Sequence, residues 1–206
     1  MDSLELIYGT SDDYEKIRNR KRRLCDSYYL PMIKKYLNTT EDKTILDFGS
    51  GEGVMAKHLS SNFKKYYCLD INEDFLKLCK DYNKNSTNVE YKLVKDLDLD
   101  IELSTIDVII SHAVFELMDS IPFLDYIRKF YNVMKKDSVL FFDFYDTTEK
   151  FKETDKFPAG YPYNTMKKLE VKNWLDEMGF ECIEDTQYSY AYKRETQLSY
   201  LGFRKI

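Results

Sequence analysis

The sequence is poor in the residues that build metal sites and disulfide frameworks. Its 206 residues include two histidines, four cysteines and one tryptophan. The cysteines are Cys25, Cys68, Cys79 and Cys182, and no two of them form a C-x-x-C pair. Structural zinc normally takes four closely spaced Cys and His ligands, which this pattern does not offer. We therefore predict no bound metal, and thiols that are reduced and mostly buried.

Long apolar runs are also missing. No segment approaches the roughly 20 apolar residues that span a membrane. The polar start Met1-Asp2-Ser3-Leu4-Glu5 is unlike a secretory signal. The expectation is a cytoplasmic protein with no membrane partner.

A broad excess of positive charge is absent as well, since the net charge is -5. Proteins that bind nucleic acid gather Lys and Arg to neutralise phosphates, so we predict no nucleic-acid partner. One local basic run consists of Arg18, Arg20, Lys21, Arg22 and Arg23. It has two interpretations, contact with an anionic substrate or partner, or a solvated helix face balanced by nearby acids. The acids Asp12, Asp13 and Glu15 favour the second.

Glycine is scarce, yet three of the seven glycines fall in one short stretch. The apolar segment 44–48 runs directly into Gly49, Gly51 and Gly53. Such glycines let the backbone turn tightly and approach a ligand, next to the free N–H groups of a following helix. A dinucleotide fingerprint would need a third glycine at position 54, where the chain has Val54. A nicotinamide-dependent oxidoreductase is therefore a rival that this spacing disfavours.

Strand and helix patterns alternate along the chain. Predicted strands cover 44–48, 65–69, 89–94, 106–111 and 138–144, followed by a hairpin of strands 180–192 and 196–205. Predicted helices cover 12–37, with a possible break at Pro31, and 53–62, 73–82, 119–135 and 165–178. This order predicts one α/β domain over 1–206, a Rossmann-like three-layer sandwich. Its mostly parallel seven-stranded sheet ends in an antiparallel C-terminal hairpin. Residues 1–40 form an N-terminal helical lid, and 145–164 form a loop on the substrate side.

Several motifs resemble those of the class I S-adenosylmethionine (SAM) dependent methyltransferases of the small-molecule type. Asp47 with the three glycines resembles the first motif of that family, and the run 106–117 resembles its fourth. The junction 174–180 is similar to one found in many small-molecule methyltransferases. The resemblance covers 44 to about 180, and it implies SAM as cofactor and S-adenosyl-L-homocysteine (SAH) as product.

The resemblance also implies a set of cofactor-binding residues: Asp47, Gly49, Ser50, Gly51, Gly53, Asp70, Ile71, Asp96, Leu97 and Ser111. Asp70 ends the second strand, where a carboxylate accepts hydrogen bonds from ribose hydroxyls. Its alternative role is that of N-cap for the helix 73–82.

Methyl transfer requires an aligned nucleophile and, where that nucleophile carries a proton, a base. His112 is the first candidate base because it follows the fourth strand at the ligand-binding edge. Its alternative role is packing against the cofactor or bonding to a backbone carbonyl. Asp143 and Tyr145 end the fifth strand on one face, and they are predicted to orient a substrate hydroxyl or amine. A metal held by Asp143 and Asp146 lacks an evident third ligand.

The predicted function is therefore methyl transfer from SAM to an oxygen or nitrogen of a small acceptor, which is a sugar, a phosphorylated metabolite or an amine. The basic run slightly favours an anionic acceptor among these. The alternatives are a non-catalytic SAM- or SAH-binding regulatory subunit and a protein methyltransferase. The sequence leaves the oligomeric state open.

Overall fold

A computed structural model describes residues 11–146, 165–189 and 197–206. Its strands are β1 Thr44–Phe48, β2 Lys65–Asp70, β3 Val89–Leu93, β4 Ile106–Ser111, β5 Met134–Asp146, β6 Thr165–Met166, β7 Phe180–Ser189 and β8 Gln197–Lys205. They form one sheet in the order β3-β2-β1-β4-β5-β8-β7, with the short β6 beside β5. Strand β8 runs antiparallel to both β5 and β7, whereas the other described pairs of strands are parallel. The predicted fold class is confirmed.

The helices connect these strands and cover both faces of the sheet. They are α1 Ser11–Leu24, α2 Leu30–Leu37, α3 Val54–Leu59, α4 Glu73–Tyr82, α5 Ser120–Val133 and α6 Lys168–Glu177. Short 3-10 turns occupy Ser60–Asn62 and Phe115–Leu117. No helix among the described residues combines the length and apolar character that crossing a membrane requires.

Two hydrophobic layers enclose the sheet, as side-chain alternation along each strand requires. On one face Leu46, Ile109 and Phe142 pack with α5 and α6. On the other face Ile45 and Val108 pack with the N-terminal helices, α3 and α4. The central strands β1 and β4 are therefore buried on both sides, which explains their nearly continuous apolar sequences.

The long N-terminal helix is interrupted by a π-helical segment at Cys25–Tyr29. The N–H of Leu30 bonds to the carbonyl of Cys25, five residues back. Pro31 has no N–H to continue the α-helical ladder, which accounts for the break predicted there. A π segment of this kind turns Tyr28 and Tyr29 into the protein, where both are buried.

Two predicted boundaries differ from the structure because of strand pairing. Strand β5 is longer than predicted, since Met134 pairs with Ile106 of β4 at its start, and Tyr145 and Asp146 pair with β6 at its end. The last helix begins at Lys168 and not at 165, because Thr165 and Met166 pair with the end of β5. The carboxylate of Asp146 then accepts the backbone N–H of Lys168 at 3.3 Å and caps that helix.

Some predictions fall outside the described residues. They concern 147–164 of the substrate-side loop, the first ten residues of the N-terminal cap and the turn of the C-terminal hairpin. The four cysteines are all free, with Cys25, Cys68 and Cys79 buried.

Candidate functional site

The carboxyl ends of β1, β2, β4 and β5 meet at one edge of the sheet, where ligands bind in open α/β folds. The glycine loop leaves β1 at this edge, and its three glycines all have positive φ: +72° at Gly49, +54° at Gly51 and +79° at Gly53. A Cβ added at Gly49 would lie 2.2 Å from a methyl group of Val114. At Gly53 it would lie 2.3 Å from the Cys79 sulfur. Both positions therefore require glycine for conformation and for space.

Asp47 is buried just before this loop. Its carboxylate accepts the hydroxyl of Tyr66 at 3.0 Å. Burial raises the pKa of Asp47 to about 7, against the lowering effects of the Tyr66 hydrogen bond and of Lys21. Asp47, the acid of the first motif, is therefore a buried polar group near the end of β1, directly before the glycine loop.

Asp70 ties the end of β2 to the glycine loop. One of its carboxylate oxygens accepts the N–H of Gly51 at 2.8 Å, and the other accepts the N–H of Asn72 at 2.9 Å. Asn72 caps α4, since its side chain accepts the N–H groups of Asp74 and Phe75. Asp70 is thus not the N-cap of that helix, and each of its oxygens retains a lone pair for a ligand.

Three predicted cofactor residues border this edge after β2 and β3. Ile71 is 71% exposed, a rare state for a large apolar side chain beside a buried carboxylate. Asp96 and Leu97 have φ of +50° and +62°, and the N–H of Asp98 bonds to the carbonyl of Lys95. This is a two-residue turn that normally takes Asn or Gly, so a Leu there is strained. Backbone strain of this kind is concentrated at ligand sites.

Two of the predicted residues, Ser50 and Ser111, are buried where they can shape the loop. Ser50 is 5% exposed inside the glycine turn, and its N–H bonds to the carbonyl of Leu69. The Ser111 hydroxyl donates to the carbonyl of Phe48 at 3.2 Å and ties the end of β4 to β1. In this structure Ser111 therefore positions the backbone of both strands.

His112 and Asp143 form a hydrogen-bonded pair at the ends of β4 and β5. The imidazole Nδ1 bonds to one carboxylate oxygen of Asp143, and the other oxygen accepts the N–H of Ala113 at 2.7 Å. Because a carboxylate can only accept, Nδ1 carries the proton and Nε2 is left as a base. Ala113 has φ of +59°, so the turn that presents the imidazole is also strained.

Asp143 and Asp146, by contrast, lie three residues apart on one strand and point to opposite faces of the sheet. Asp146 bonds to the backbone of Lys168, as described above. Throughout the described ranges, no three His, Cys, Asp or Glu side chains converge as a metal site requires.

Aromatic rings surround the imidazole. Tyr200 lies opposite Asp143 in the β5–β8 pair, and its ring stacks on His112 with centroids 6.3 Å apart. Tyr29 approaches His112 edge-on at 6.2 Å. Tyr28 packs against Tyr200 at 5.1 Å, and Tyr145 is buried on the same face as Asp143. The proposed base is thus enclosed in an apolar, electron-rich setting.

Helix α1 lies across the glycine loop and is attached to it. The Nε and Nη2 of Arg18 donate to one oxygen of Glu52 at 3.1 and 3.0 Å. Glu52 is the fourth residue of the loop motif and is 1% exposed. The same guanidinium lies 4.7 Å from the centroid of the Tyr82 ring. This ion pair is the direct link between the basic run and the loop.

The basic run is divided between solvent and the site. Arg22 and Arg23 are exposed, whereas Arg18, Arg20 and Lys21 are partly buried. Arg20 is within electrostatic reach of Tyr200, Tyr145, Asp143 and Glu116, and burial lowers the pKa of its guanidinium. The solvated-face interpretation therefore fits Arg22 and Arg23. Arg18 pairs with Glu15 as that interpretation expects and also with Glu52, whereas Arg20 and Lys21 act on the acids of the site.

Lys21 faces the other half of the site. Its ammonium acts on the carboxylates of Asp47 and Asp70, and on Glu116. Consecutive residues of a helix point about 100° apart, so Arg20 and Lys21 reach different parts of the same edge.

Sequence reasoning assigned no role to Glu116, Glu52 or Tyr200. Glu116 is 3% exposed, and burial together with Asp143 raises its pKa to about 8, while Arg20 and Lys21 oppose the shift. A sequence signal existed for Glu52, which stands inside the glycine motif with basic residues available in α1. Tyr200 had none, because only strand pairing brings it next to Asp143.

Comparison with known proteins gives the following matches. Residues 46–142 match the family model of a methyltransferase domain. No curated protein sequence matches the chain.

Solved structures with the same fold are numerous, and those described here are less than 20% identical to this chain. An S-adenosylmethionine-dependent methyltransferase from Listeria monocytogenes has a TM-score of 0.69 at 19% identity, covering 91% of this chain and 99% of its own. Phosphoethanolamine N-methyltransferase 2 of Haemonchus contortus was solved in complex with phosphomonomethylethanolamine and S-adenosylhomocysteine. It has a TM-score of 0.75 at 13% identity, and the match covers 98% of this chain and 59% of that enzyme. Geranyl diphosphate C-methyltransferase of Streptomyces coelicolor was solved in complex with Mg²⁺, geranyl diphosphate and S-adenosyl-L-homocysteine. It has a TM-score of 0.73 at 11% identity, and the match covers 96% of this chain and 86% of that enzyme.

Proposed function

We propose that this chain is a class I SAM-dependent methyltransferase that methylates an oxygen or nitrogen of a small, anionic acceptor; the methyltransferase domain match over 46–142 and the fold shared with SAM-dependent methyltransferases support this. The observation that supports the proposal is the His112–Asp143 pair, in which Nδ1 of the imidazole is bonded to the carboxylate and Nε2 is left for the acceptor. The acceptor classes we consider are a sugar, a phosphorylated metabolite and an amine.

The residues at the edge of the sheet fit SAM. Asp47 and Asp70 offer oxygen acceptors for the amino group and the ribose hydroxyls of the cofactor, and the glycine loop removes Cβ atoms from its path. The exposed Ile71 and the strained turn at Asp96 and Leu97 suit an adenine ring and its amino group. We propose these residues, with Gly49, Ser50, Gly51, Gly53 and Ser111, as the cofactor site.

Bound SAM supplies an activated methyl group, whose C–S bond breaks while the sulfur keeps the bonding pair and leaves as neutral SAH. The protein's task is to align the nucleophile and take its proton. We assign proton removal to Nε2 of His112. Asp143 holds the imidazole in the required tautomer and stabilises the charge it gains. Tyr145 and the rings around His112 exclude water and orient the acceptor.

The preference for an anionic acceptor rests on Arg20. Its partly buried guanidinium lies on the acceptor half of the edge, close to Asp143 and Tyr145. Guanidinium groups bind phosphates and carboxylates through paired hydrogen bonds. Two of the similar structures are complexes with phosphate-bearing small molecules, which agrees with this preference.

The test is titration calorimetry of the purified chain with SAH, with NAD in parallel. We expect micromolar binding of SAH and none of NAD. Transfer of a labelled methyl group from SAM to a panel of small acceptors then measures turnover. Binding of NAD alone would overturn the cofactor site, whereas SAH binding without turnover on any small molecule, and with turnover on peptides, would replace the acceptor class.

A further inference from the structure

Glu116 is a buried acid that proton removal by His112 does not use. It lies on the 3-10 turn that follows the His112 loop, and it is 3% exposed. The charged groups around it come from two elements. Asp143 approaches from β5, and Arg20 and Lys21 approach from α1. The cluster therefore combines two buried acids with two partly buried cations, and burial favours the protonated form of Glu116 until a further cation arrives.

A second buried polar group lies at the same place. Tyr29 is fully buried, and its hydroxyl has no hydrogen-bond partner among the residues that the structure describes. Of the charged groups near this phenol, Asp143 acts on it most strongly. A buried hydroxyl without a partner destabilises the fold, because it has lost its hydrogen bonds to water without replacing them. Such a cost is commonly retained where a ligand supplies the missing bond.

The donors of this cluster include the cations Arg20 and Lys21, which suit the anionic group of an acceptor. The groups that can accept a hydrogen bond from the nucleophile are Nε2 of His112, the hydroxyl oxygen of Tyr29 and the carboxyl group of Glu116. The faces of the Tyr29 and Tyr200 rings add negative electrostatic potential. An amine carries several N–H donors, whereas a hydroxyl carries one, so the cluster matches an amine better.

We infer that the acceptor is a small zwitterion whose nucleophile is an amine, bound between Glu116, Tyr29 and His112, with its anionic group on Arg20. This inference rests on the proposed methyl transfer and specifies its substrate class. The aromatic rings also suit the product, because a methylammonium ion is attracted to ring faces.

The proton balance is explicit. An ammonium acceptor R–NH₃⁺ gives one proton to Nε2 of His112 and becomes R–NH₂. Its lone pair forms the N–C bond as the C–S bond breaks and that pair stays on sulfur, which yields R–NH₂⁺–CH₃. His112 returns the proton to solvent when the product leaves. Glu116, as a carboxylate, balances the positive charge of the acceptor before and after transfer.

The experiment uses acceptor pairs that differ only at the nucleophile. Each pair has an amine and a hydroxyl on one anionic scaffold: 2-aminoethyl phosphate and 2-hydroxyethyl phosphate, glycine and glycolate, β-alanine and 3-hydroxypropanoate. Binding to the SAH-loaded chain and methyl transfer from SAM are measured for each member. At least one amine should bind and react while its hydroxyl partner does not.

The variants Glu116→Gln and Tyr29→Phe keep the side-chain volume and remove the charge or the hydroxyl. For the reactive amine, we expect Glu116→Gln to raise KM by about tenfold or more, the loss of one charge-assisted hydrogen bond, and to change kcat less. Tyr29→Phe should weaken amine binding in the same direction. The control is Glu181→Gln, an exposed residue near the opposite edge of the sheet, which should leave both constants unchanged.

The outcomes separate the two proposals. If the chain does not bind SAH, the proposed function itself fails. If SAH binds but a hydroxyl partner reacts as fast as its amine, or none of the amines binds, the amine assignment is wrong. It is equally contradicted if both variants retain the KM of the original chain.

Discussion

Asp143 is the residue on which the geometry of the proposed base depends. One of its oxygens holds the imidazole of His112 and the other holds the N–H of Ala113, so a single carboxylate fixes both the side chain and the strained turn behind it. Its position opposite Tyr200 in the β5–β8 pair buries it completely. An acid so placed can act on the reaction only through the imidazole.

The variant Asp143→Asn tests that dependence. The amide oxygen can still accept the Ala113 N–H, but the amide nitrogen then faces Nδ1 and forces the opposite tautomer. Nε2 would carry a proton and could not act as a base. We expect kcat to fall by about 10²- to 10⁴-fold, the usual contribution of a general base, with SAH affinity unchanged.

Calorimetry and initial-rate measurements on this variant and on Asp125→Asn give the comparison. Asp125 is an exposed acid of α5 whose loss should change neither value. An Asp143→Asn enzyme with normal kcat would remove His112 from the role of base.

Asp70 is the residue through which the loop and the proposed ribose site are coupled. Asp70→Asn keeps one oxygen for a backbone N–H but loses the charge that strengthens a ribose hydrogen bond. We expect SAH affinity to fall by about 1.5–3 kcal/mol, the range for a hydrogen bond to a charged group. Asp74→Asn, at an exposed position of α4, is the matched control in the same titration. An unchanged dissociation constant for Asp70→Asn would contradict the ribose assignment.

The cap of α4 shows what single residues reveal only in the structure. Asp70 and Asn72 are both favoured N-cap residues, and the sequence allowed Asp70 to be either a cap or a ligand residue. The structure gives the cap to Asn72, because Asp70 is still part of β2 and its carboxylate turns toward Gly51. Which of these two candidates caps the helix depends on the residue at which the preceding strand ends. Hydrophobic patterns locate the end of a strand only to within one or two residues.

At the scale of elements, α1 acts as a cover for the glycine loop. The Arg18–Glu52 ion pair joins the two, and Glu52 is almost completely buried beneath it. Because Lys21 of this helix acts on both Asp47 and Asp70, we propose that a cofactor bound by those residues passes α1. The attachment of α1 should control how fast the cofactor enters and leaves.

The variant Arg18→Gln should loosen that attachment. Removing one member of a buried ion pair leaves Glu52 uncompensated, at a cost of about 3 kcal/mol. We expect faster hydrogen exchange in α1 and faster dissociation of SAH, measured by exchange mass spectrometry and by stopped-flow displacement. Arg128→Gln removes a comparable but exposed ion pair on α5 and should change neither rate. If exchange in α1 and the SAH off-rate both stay constant, the helix does not gate the site.

The basic run illustrates why elements were easier to predict than their orientation. The helical pattern of 12–37 and the break near Pro31 were visible in the sequence. The choice between a solvated face and a face turned toward the site was not, because acids for pairing exist both within α1 and beyond it. Arg18 bonds to Glu15 on its own helix as well as to Glu52, so both pairings coexist on one guanidinium.

At the scale of the whole molecule, the succession of strands and helices along the chain was predicted from the sequence more reliably than the lengths of the strands were. The alternation of apolar segments with helical patterns, and the two long polar strands at the end, were sufficient to predict the sheet. The extension of β5 and the short β6 were not predictable, since both arise from pairing between distant segments. The same limit applies to the site. Its glycines and the acids at the strand ends were predicted from motif spacing, whereas Tyr29 and Tyr200 reach the imidazole, and Glu116 approaches Asp143, only through tertiary packing.

The whole molecule should also show how two buried acids make folding depend on pH. Burial raises the pKa of Asp47 to about 7 and that of Glu116 to about 8, above their ordinary values of 3.8 and 4.5. The folded chain therefore binds more protons at these positions than the unfolded chain does. Their contribution to stability is complete below about pH 4, and it is lost as the pH rises through 7 and then 8.

Urea denaturation at pH 5.5 and pH 8.5 measures this loss as a fall in the free energy of unfolding. Asp47→Asn and Glu116→Gln each remove one titrating acid, so each variant should lose less stability over this interval than the original chain. Neither substitution changes the groups that face the two acids. These are Tyr66, Lys21 and Asp70 around Asp47, and Asp143, Arg20 and Lys21 around Glu116. The change between the two pH values is compared within each protein, so a constant cost of the substitution cancels. If the free energy of unfolding falls equally in the variants and in the original chain, neither acid is protonated in the folded protein over this pH interval. Glu116 would then already be a carboxylate near neutral pH, before any amine binds.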